Sequence, residues 1–173
     1  MIESLAFALV KTLITFMFEQ HLENMQSVKL QGAPRWYAQQ TVDHICDSGH
    51  SYGRLEVVED AKSTARRQMV LRLERAMTSV AYEKFRDRTE PTERALIDQF
   101  SRDNQLPTFV ESSLIYENIE YRDTSMTAYV RICIPKERLV RYQEERVAKL
   151  AKAVTHHRRD RGFNELESEI EPH

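Results

Sequence analysis

The chain has 173 residues, enough for one domain with an appended segment. With 41% hydrophobic and 30% charged residues, a modest core beneath a well-solvated surface is expected. A formal net charge of −2 gives no reason to expect a nucleic-acid partner. Neither a P-loop nor a dinucleotide-binding fingerprint occurs, so no cofactor is predicted.

The first twenty residues are the most hydrophobic part of the chain, and Lys11 is the only charge between Leu5 and Phe18. On a helical wheel Lys11 lies in a narrow stripe of small and polar residues, and apolar residues cover most of the remainder. The pattern does not resemble a cleavable signal peptide. Three alternatives remain: an uncleaved membrane anchor, a helix lying in the membrane interface, and a helix buried in an assembly. We predict an apolar helix and polar linker over 1–31, with 1–19 as the candidate membrane contact.

The next segment, 32–135, is predicted to be a helix-on-sheet domain. Trp36 follows a helix-breaking glycine and proline and is expected to anchor the entry segment. A short strand is predicted over Val42 to Tyr52, and Gly49 and Gly53 are expected to turn the chain into the next element. That element is a long amphipathic helix. It is predicted over Glu56 to Arg88, with an alanine-rich face suited to close packing.

Downstream of the long helix, a shorter helix is predicted over Thr92 to Arg102, ended by Asn104 and Pro107. Strands are predicted over Val110 to Arg122 and Met126 to Ile134, joined by a hairpin turn. The first strand is expected to place three apolar side chains on one face: Ile115, Ile119 and Tyr121. The predicted fold class is α+β, a three-stranded antiparallel sheet with a long helix on one face in strand-helix-strand-strand order.

The last segment, 136–173, is predicted to be a C-terminal helix followed by a frayed acidic tail. Its narrow apolar stripe, flanked by charges, is typical of a helix that pairs with another helix. We therefore expect the two terminal helices and the single tryptophan to make intersubunit contacts, through the following residues: Leu5, Leu9, Lys11, Leu13, Phe16, Trp36, Leu139, Val147, Leu150 and Val154.

Two cysteines and two nearby histidines are the candidates for site chemistry. His44, Cys46 and His50 form a weak candidate metal site, with Cys133 as the attractive fourth donor. Solvent-facing or structural roles are the preferred interpretation, and no metal is predicted. A disulfide between Cys46 and Cys133 requires neighbouring strands and an exported protein; two half-buried free thiols are the preferred alternative. No nucleophile motif is present, so no catalytic residue and no enzymatic activity are predicted.

Four sequence features together resemble a known protein family. These are Pro34-Arg35-Trp36, the strand that ends near Gly49, the helix start at Glu59 to Ala65, and the strand pair in Ser112 to Leu139. They are similar to the small bacterial envelope lipoproteins related to the flagellar disk protein FlgP and the twenty-kilodalton Helicobacter lipoprotein. The resemblance covers Ala33 to Tyr142, and implies a dodecin-like fold, oligomeric assembly and scaffold roles in the outer membrane and flagellar motor. The chain lacks a lipobox, so the apolar N-terminal helix is expected to replace the lipid.

Two function hypotheses follow from these features. The first is a non-enzymatic structural subunit of an oligomeric bacterial cell-envelope assembly, such as a flagellar motor or disk scaffold. Its expected partners are copies of itself and other envelope or motor proteins, on the periplasmic side or at the membrane. The alternative is a small ligand- or metal-binding module.

Overall fold

The computed structural model describes residues 8–13, 15–16, 32–39, 41–53, 55–81, 94 and 98–170, with only a few side chains described beyond residue 150. Strands β1 (His44–Tyr52), β2 (Ile115–Arg122) and β3 (Thr127–Pro135) form an antiparallel sheet in the order β1-β3-β2. The helices are α1 (Val57–Ser79), α2 (Leu106–Ser113) and α3 (Lys136–Ile170), and a 3-10 turn spans Arg35–Ala38. The predicted α+β fold, with its three-stranded antiparallel sheet and long helix, is confirmed.

Helix α1 packs on one side of the sheet through its smallest side chains. Ala61 and Ala65 are fully buried, as the alanine-rich face of the sequence predicts. Gly49 lies beneath them in the middle of β1, where an added Cβ would meet the Ala61 carbonyl oxygen and the Ala65 nitrogen at 2.4 Å. The prediction that Gly49 turns the chain is therefore wrong, because this glycine serves the close approach of helix and strand.

A β-bulge in β2 changes which side chains share a face. The register shifts between Tyr116 and Asn118. Ile115 pairs with Cys133, whereas Ile119 pairs with Val130, which lies on the opposite face of β3. The prediction that Ile115 shares a face with Ile119 and Tyr121 is wrong, since the extra bulge residue inverts the alternation. The predicted hairpin turn is confirmed at 123–126, where Met126 adopts a φ of 48°.

The start of the second predicted strand is helical. Helix α2 covers Leu106–Ser113, and β2 begins only at Ile115. Pro107 lies in the first turn of α2, where its missing N–H breaks no intrahelical hydrogen bond. Pro107 therefore begins a helix rather than ending one, and the predicted strand start at Val110 is wrong.

Both terminal helices contribute to the same core as α1. The described N-terminal helical residues include Leu9 and Leu13, which are fully buried, and α3 contributes the buried Leu139 and Val147. Their expected intersubunit role is corrected, because they pack within the chain. Phe16 and Leu150 pack against this core.

Three further points concern the termini. The predicted frayed tail is also corrected, because α3 is helical through Ile170. Leu5 and the side chain of Val154 lie outside the described residues. In the described part of the chain, no helix combines the length and apolarity needed to cross a membrane.

Candidate functional site

The face of the sheet turned away from α1 carries a disulfide bond. We call this side the far face; it presents the following residues: Cys46, Ser48, His50, Tyr129, Arg131 and Cys133. Cys46 and Cys133 lie directly opposite each other in the β1–β3 register, with their Cα atoms 4.1 Å apart and their sulfur atoms bonded. Both are almost fully buried. The preference for free thiols is wrong, because strand pairing brings together two residues that are 87 positions apart.

A carboxylate from the third strand reaches this disulfide. Glu117 occupies the bulge of β2, and its Oε2 lies 3.3 Å from Cys133 Sγ. The bulge therefore aims a side chain of the edge strand at the centre of the far face. Among the described residues, Cys46, Glu117 and Cys133 form the one group of potential ligands close enough to share a metal ion, with all donor atoms within 4.8 Å of one another.

Arg131 lies beside Glu117 on the far face and is 2% exposed. Its Nε is 2.8 Å from Glu117 Oε2, and its guanidinium donates a 2.7 Å hydrogen bond to the Trp36 carbonyl oxygen. Burial lowers the pKa of Arg131, and the nearby Glu117 carboxylate opposes that shift. The 3-10 turn thus covers the far face by accepting a hydrogen bond from a buried cation.

Aromatic residues from the same turn cover the rest of the far face. The Tyr37 hydroxyl and His50 Nδ1 are 2.9 Å apart, and Ser48 Oγ donates a 2.7 Å hydrogen bond to the Tyr37 carbonyl oxygen. Tyr37 also meets Tyr129 edge-on, with ring centroids 5.5 Å apart. Burial is the largest cause that raises the pKa of Tyr37 to about 12.

The residues predicted as a weak metal site do not come together as one group of ligands in the described structure. Cys46 is bonded to Cys133, and the Nδ1 atom of His50 is engaged by Tyr37. Neither His44 nor His50 belongs to the described group of potential ligands, which contains Glu117 instead. Sequence reasoning missed Glu117 because only the bulge places it on the far face.

Among the described residues, the helix face holds one buried ion pair. Arg72 of α1 donates to Asp47 Oδ2 at 3.3 Å and to the Cys46 carbonyl oxygen at 3.0 Å. Burial raises the pKa of Asp47, while the neighbouring guanidinium works against that rise. This pair links helix to strand.

The outer edge of β2 is the most apolar open surface of the sheet. Four large side chains on this strand are 39 to 49% exposed: Ile115, Tyr116, Ile119 and Tyr121. β1, the other edge strand, is buried or half-buried from His44 to Ser51. β3 is the only described strand that pairs with β2. The two edges of the sheet are therefore unequal.

Two residues predicted for intersubunit contact remain at or near the surface. Lys11 is exposed on the described part of the N-terminal helix. Trp36 is half-buried, and its indole Nε1 donates to Glu120 Oε2 at 3.3 Å. This bond ties the entry segment to β2, as expected of an anchor.

Comparison with known proteins does not assign this arrangement to a family. No model of a known protein family matches the chain, and no curated protein shows significant sequence similarity to it.

Proposed function

We propose that the chain is a non-enzymatic structural subunit that assembles with copies of itself in the bacterial cell envelope. The observation that carries this proposal is the outer edge of β2, which combines a free hydrogen-bonding edge among the described strands with four half-exposed large side chains. Such an edge is a template for another strand. Large apolar side chains exposed along such an edge favour assembly.

The charges of β2 favour a second copy as the occupant. Glu117 lies near the beginning of the strand and Arg122 at its end. Antiparallel pairing of two β2 strands places Arg122 of each near Glu117 of the other, in addition to the pairs that these residues form within the chain, Arg122 with Glu120 and Glu117 with Arg131. A twofold axis perpendicular to the sheet produces this contact and keeps both α1 helices on one side. The joined sheets then share an apolar strip formed by Tyr116, Ile119 and Tyr121.

Two further observations support the envelope as the location. The Cys46–Cys133 bond is of a kind that persists in oxidising compartments such as the bacterial periplasm. The sequence resemblance extends the proposal to an assembly of the flagellar motor or disk type, with other envelope or motor proteins as neighbours. Within residues 1–19, the side that exposes Lys11 is the proposed membrane contact, because Leu9 and Leu13 are buried in the core.

Light scattering after size-exclusion chromatography tests the assembly, with and without detergent. The informative variant is Ile119→Lys, which adds a charge at the centre of the open edge, where the native side chain is 48% exposed. Leu55→Lys is the matched control, because Leu55 is 87% exposed and lies outside the strands. We expect an oligomer for the wild type and the control, and a smaller species for Ile119→Lys.

Two outcomes contradict the proposal at different levels. A wild-type chain that is strictly monomeric under both conditions refutes self-assembly altogether. An oligomer that survives Ile119→Lys unchanged refutes pairing through β2.

A further inference from the structure

We propose that the reduced chain binds one thiophilic divalent cation, of the Zn²⁺ class, through Cys46 Sγ, Cys133 Sγ and the Glu117 carboxylate. This inference shares Glu117 with the proposed contact between β2 strands, but its test measures bound metal and not the oligomeric state. It concerns the state of the far face in which the disulfide is open.

The donor set suits this class of cation. Zinc takes thiolate and carboxylate ligands, and it accepts three protein ligands with water at a fourth position. The three side chains come from three different strands, and their donor atoms already lie within 4.8 Å of one another. The strand register presents the sulfur atoms to each other, and the bulge turns the carboxylate towards them.

The buried Arg131 balances the charge of this site. Two thiolates and one carboxylate carry three negative charges, which a divalent cation and the neighbouring guanidinium neutralise together. When Glu117 turns to the metal, Arg131 keeps its hydrogen bond to the Trp36 carbonyl oxygen.

The chemistry proceeds in two balanced steps. A dithiol or phosphine reductant supplies two electrons, the Cys46–Cys133 bond breaks, and each sulfur gains a proton. The cation then displaces both thiol protons as it binds, releasing two protons to solvent. Disulfide and metal therefore exclude each other at this position.

The disulfide-bonded state and the metal-bound state link different sets of strands. The disulfide joins β1 to β3, whereas the metal also engages Glu117 and so ties in β2. Because the metal binds the folded chain through all three strands, it raises the melting temperature of the reduced protein.

Cobalt is the first probe, because thiolate-to-cobalt charge transfer absorbs in the near ultraviolet. The full chain is reduced, freed of reductant under anaerobic conditions, and titrated with Co²⁺. We expect the absorption to saturate at one equivalent and Zn²⁺ to displace the cobalt. The oxidised chain should show no such band. An absent band in the reduced wild type, or equal binding by the oxidised chain, overturns the proposal.

Variants test whether Glu117 itself binds the metal or whether any nearby carboxylate can do so. Glu117→Gln should weaken Zn²⁺ binding at least about tenfold, in line with the effects of altered groups around metal sites. Glu120→Gln, on the same strand, should leave the affinity unchanged. Cys46→Ser should abolish the charge-transfer band. Unchanged affinity in Glu117→Gln, or an equal loss in Glu120→Gln, refutes the site as drawn.

A folding measurement keeps the test decisive if the reduced chain unfolds. Helical circular dichroism is then followed as Zn²⁺ is added to the reduced protein. Recovery in the wild type but not in Glu117→Gln supports the site, whereas no recovery in the wild type overturns it.

Discussion

The two faces of the sheet are held by different kinds of interaction. On the helix face, Gly49 lies directly against the backbone of Ala61 and Ala65, and the Arg72–Asp47 ion pair adds one polar link between helix and strand. On the far face, a disulfide and directional polar contacts around Arg131 hold the covering turn. Close packing at Gly49 leaves no room for an added methyl group, whereas the far face depends on particular bonds. A substitution at Gly49 should therefore act through added volume, and substitutions on the far face should act through lost bonds.

The largest effect is expected from Gly49→Ala on the helix face. The new methyl group would lie 2.4 Å from two backbone atoms of α1, so the helix must move. We expect the free energy of unfolding to fall by more than about 3 kcal/mol, at the upper end of overpacking costs. Urea denaturation followed by circular dichroism measures this loss.

Ser51→Ala is the control for the helix face. Ser51 is half-buried two residues further along β1, on the same side as Gly49. Removal of its hydroxyl should change stability by no more than about 0.5 kcal/mol. A Gly49→Ala loss as small as that of Ser51→Ala would show that helix and strand do not meet closely.

The helix face was also the more predictable of the two. The alternation in β3 and the alanine spacing of α1 are local patterns, and they correctly predicted a helix lying on a sheet. The far face depends on contacts between distant parts of the chain. Tyr129 and Arg131 are buried there because residues around Trp36 cover them.

The missed features share one physical origin. Neither the pairing of Cys46 with Cys133 nor the approach of Glu117 can be read from local periodicity, since strand register and a bulge decide both. The prediction for Pro107 was wrong because proline is favoured in the first turn of a helix, whereas it breaks a helix when it lies in the interior. The terminal helices were expected to make intersubunit contacts because an apolar helix surface looks the same whether its partner lies within the chain or outside it.

The second largest effect is expected from the Cys46→Ala/Cys133→Ala double variant on the far face. Loss of the bond frees a loop of 87 positions in the unfolded chain. The expected loss is about 3 kcal/mol, which matches the typical effect of a native disulfide. Urea denaturation of the variant and of the oxidised wild type measures it. Equal urea midpoints for the two proteins would indicate that the disulfide does not stabilise the fold.

The smallest effect is expected from Tyr37→Phe, which removes one directional contact of the far face. Loss of the bond between the phenol and His50 should cost about 1 kcal/mol at neutral pH. The exposed Tyr52 supplies the control, because Tyr52→Phe should change stability by no more than about 0.5 kcal/mol.

The pH dependence of Tyr37→Phe distinguishes a buried phenol from a surface one. Because folding raises the pKa of Tyr37 from 10.0 to about 12, its neutral form contributes fully below pH 10, and that contribution is lost as the pH rises through about 12. Wild-type stability should therefore fall more steeply than that of Tyr37→Phe across this window. Parallel urea midpoints for the two proteins between pH 10 and 12 would mean that the turn does not bury the phenol against the far face.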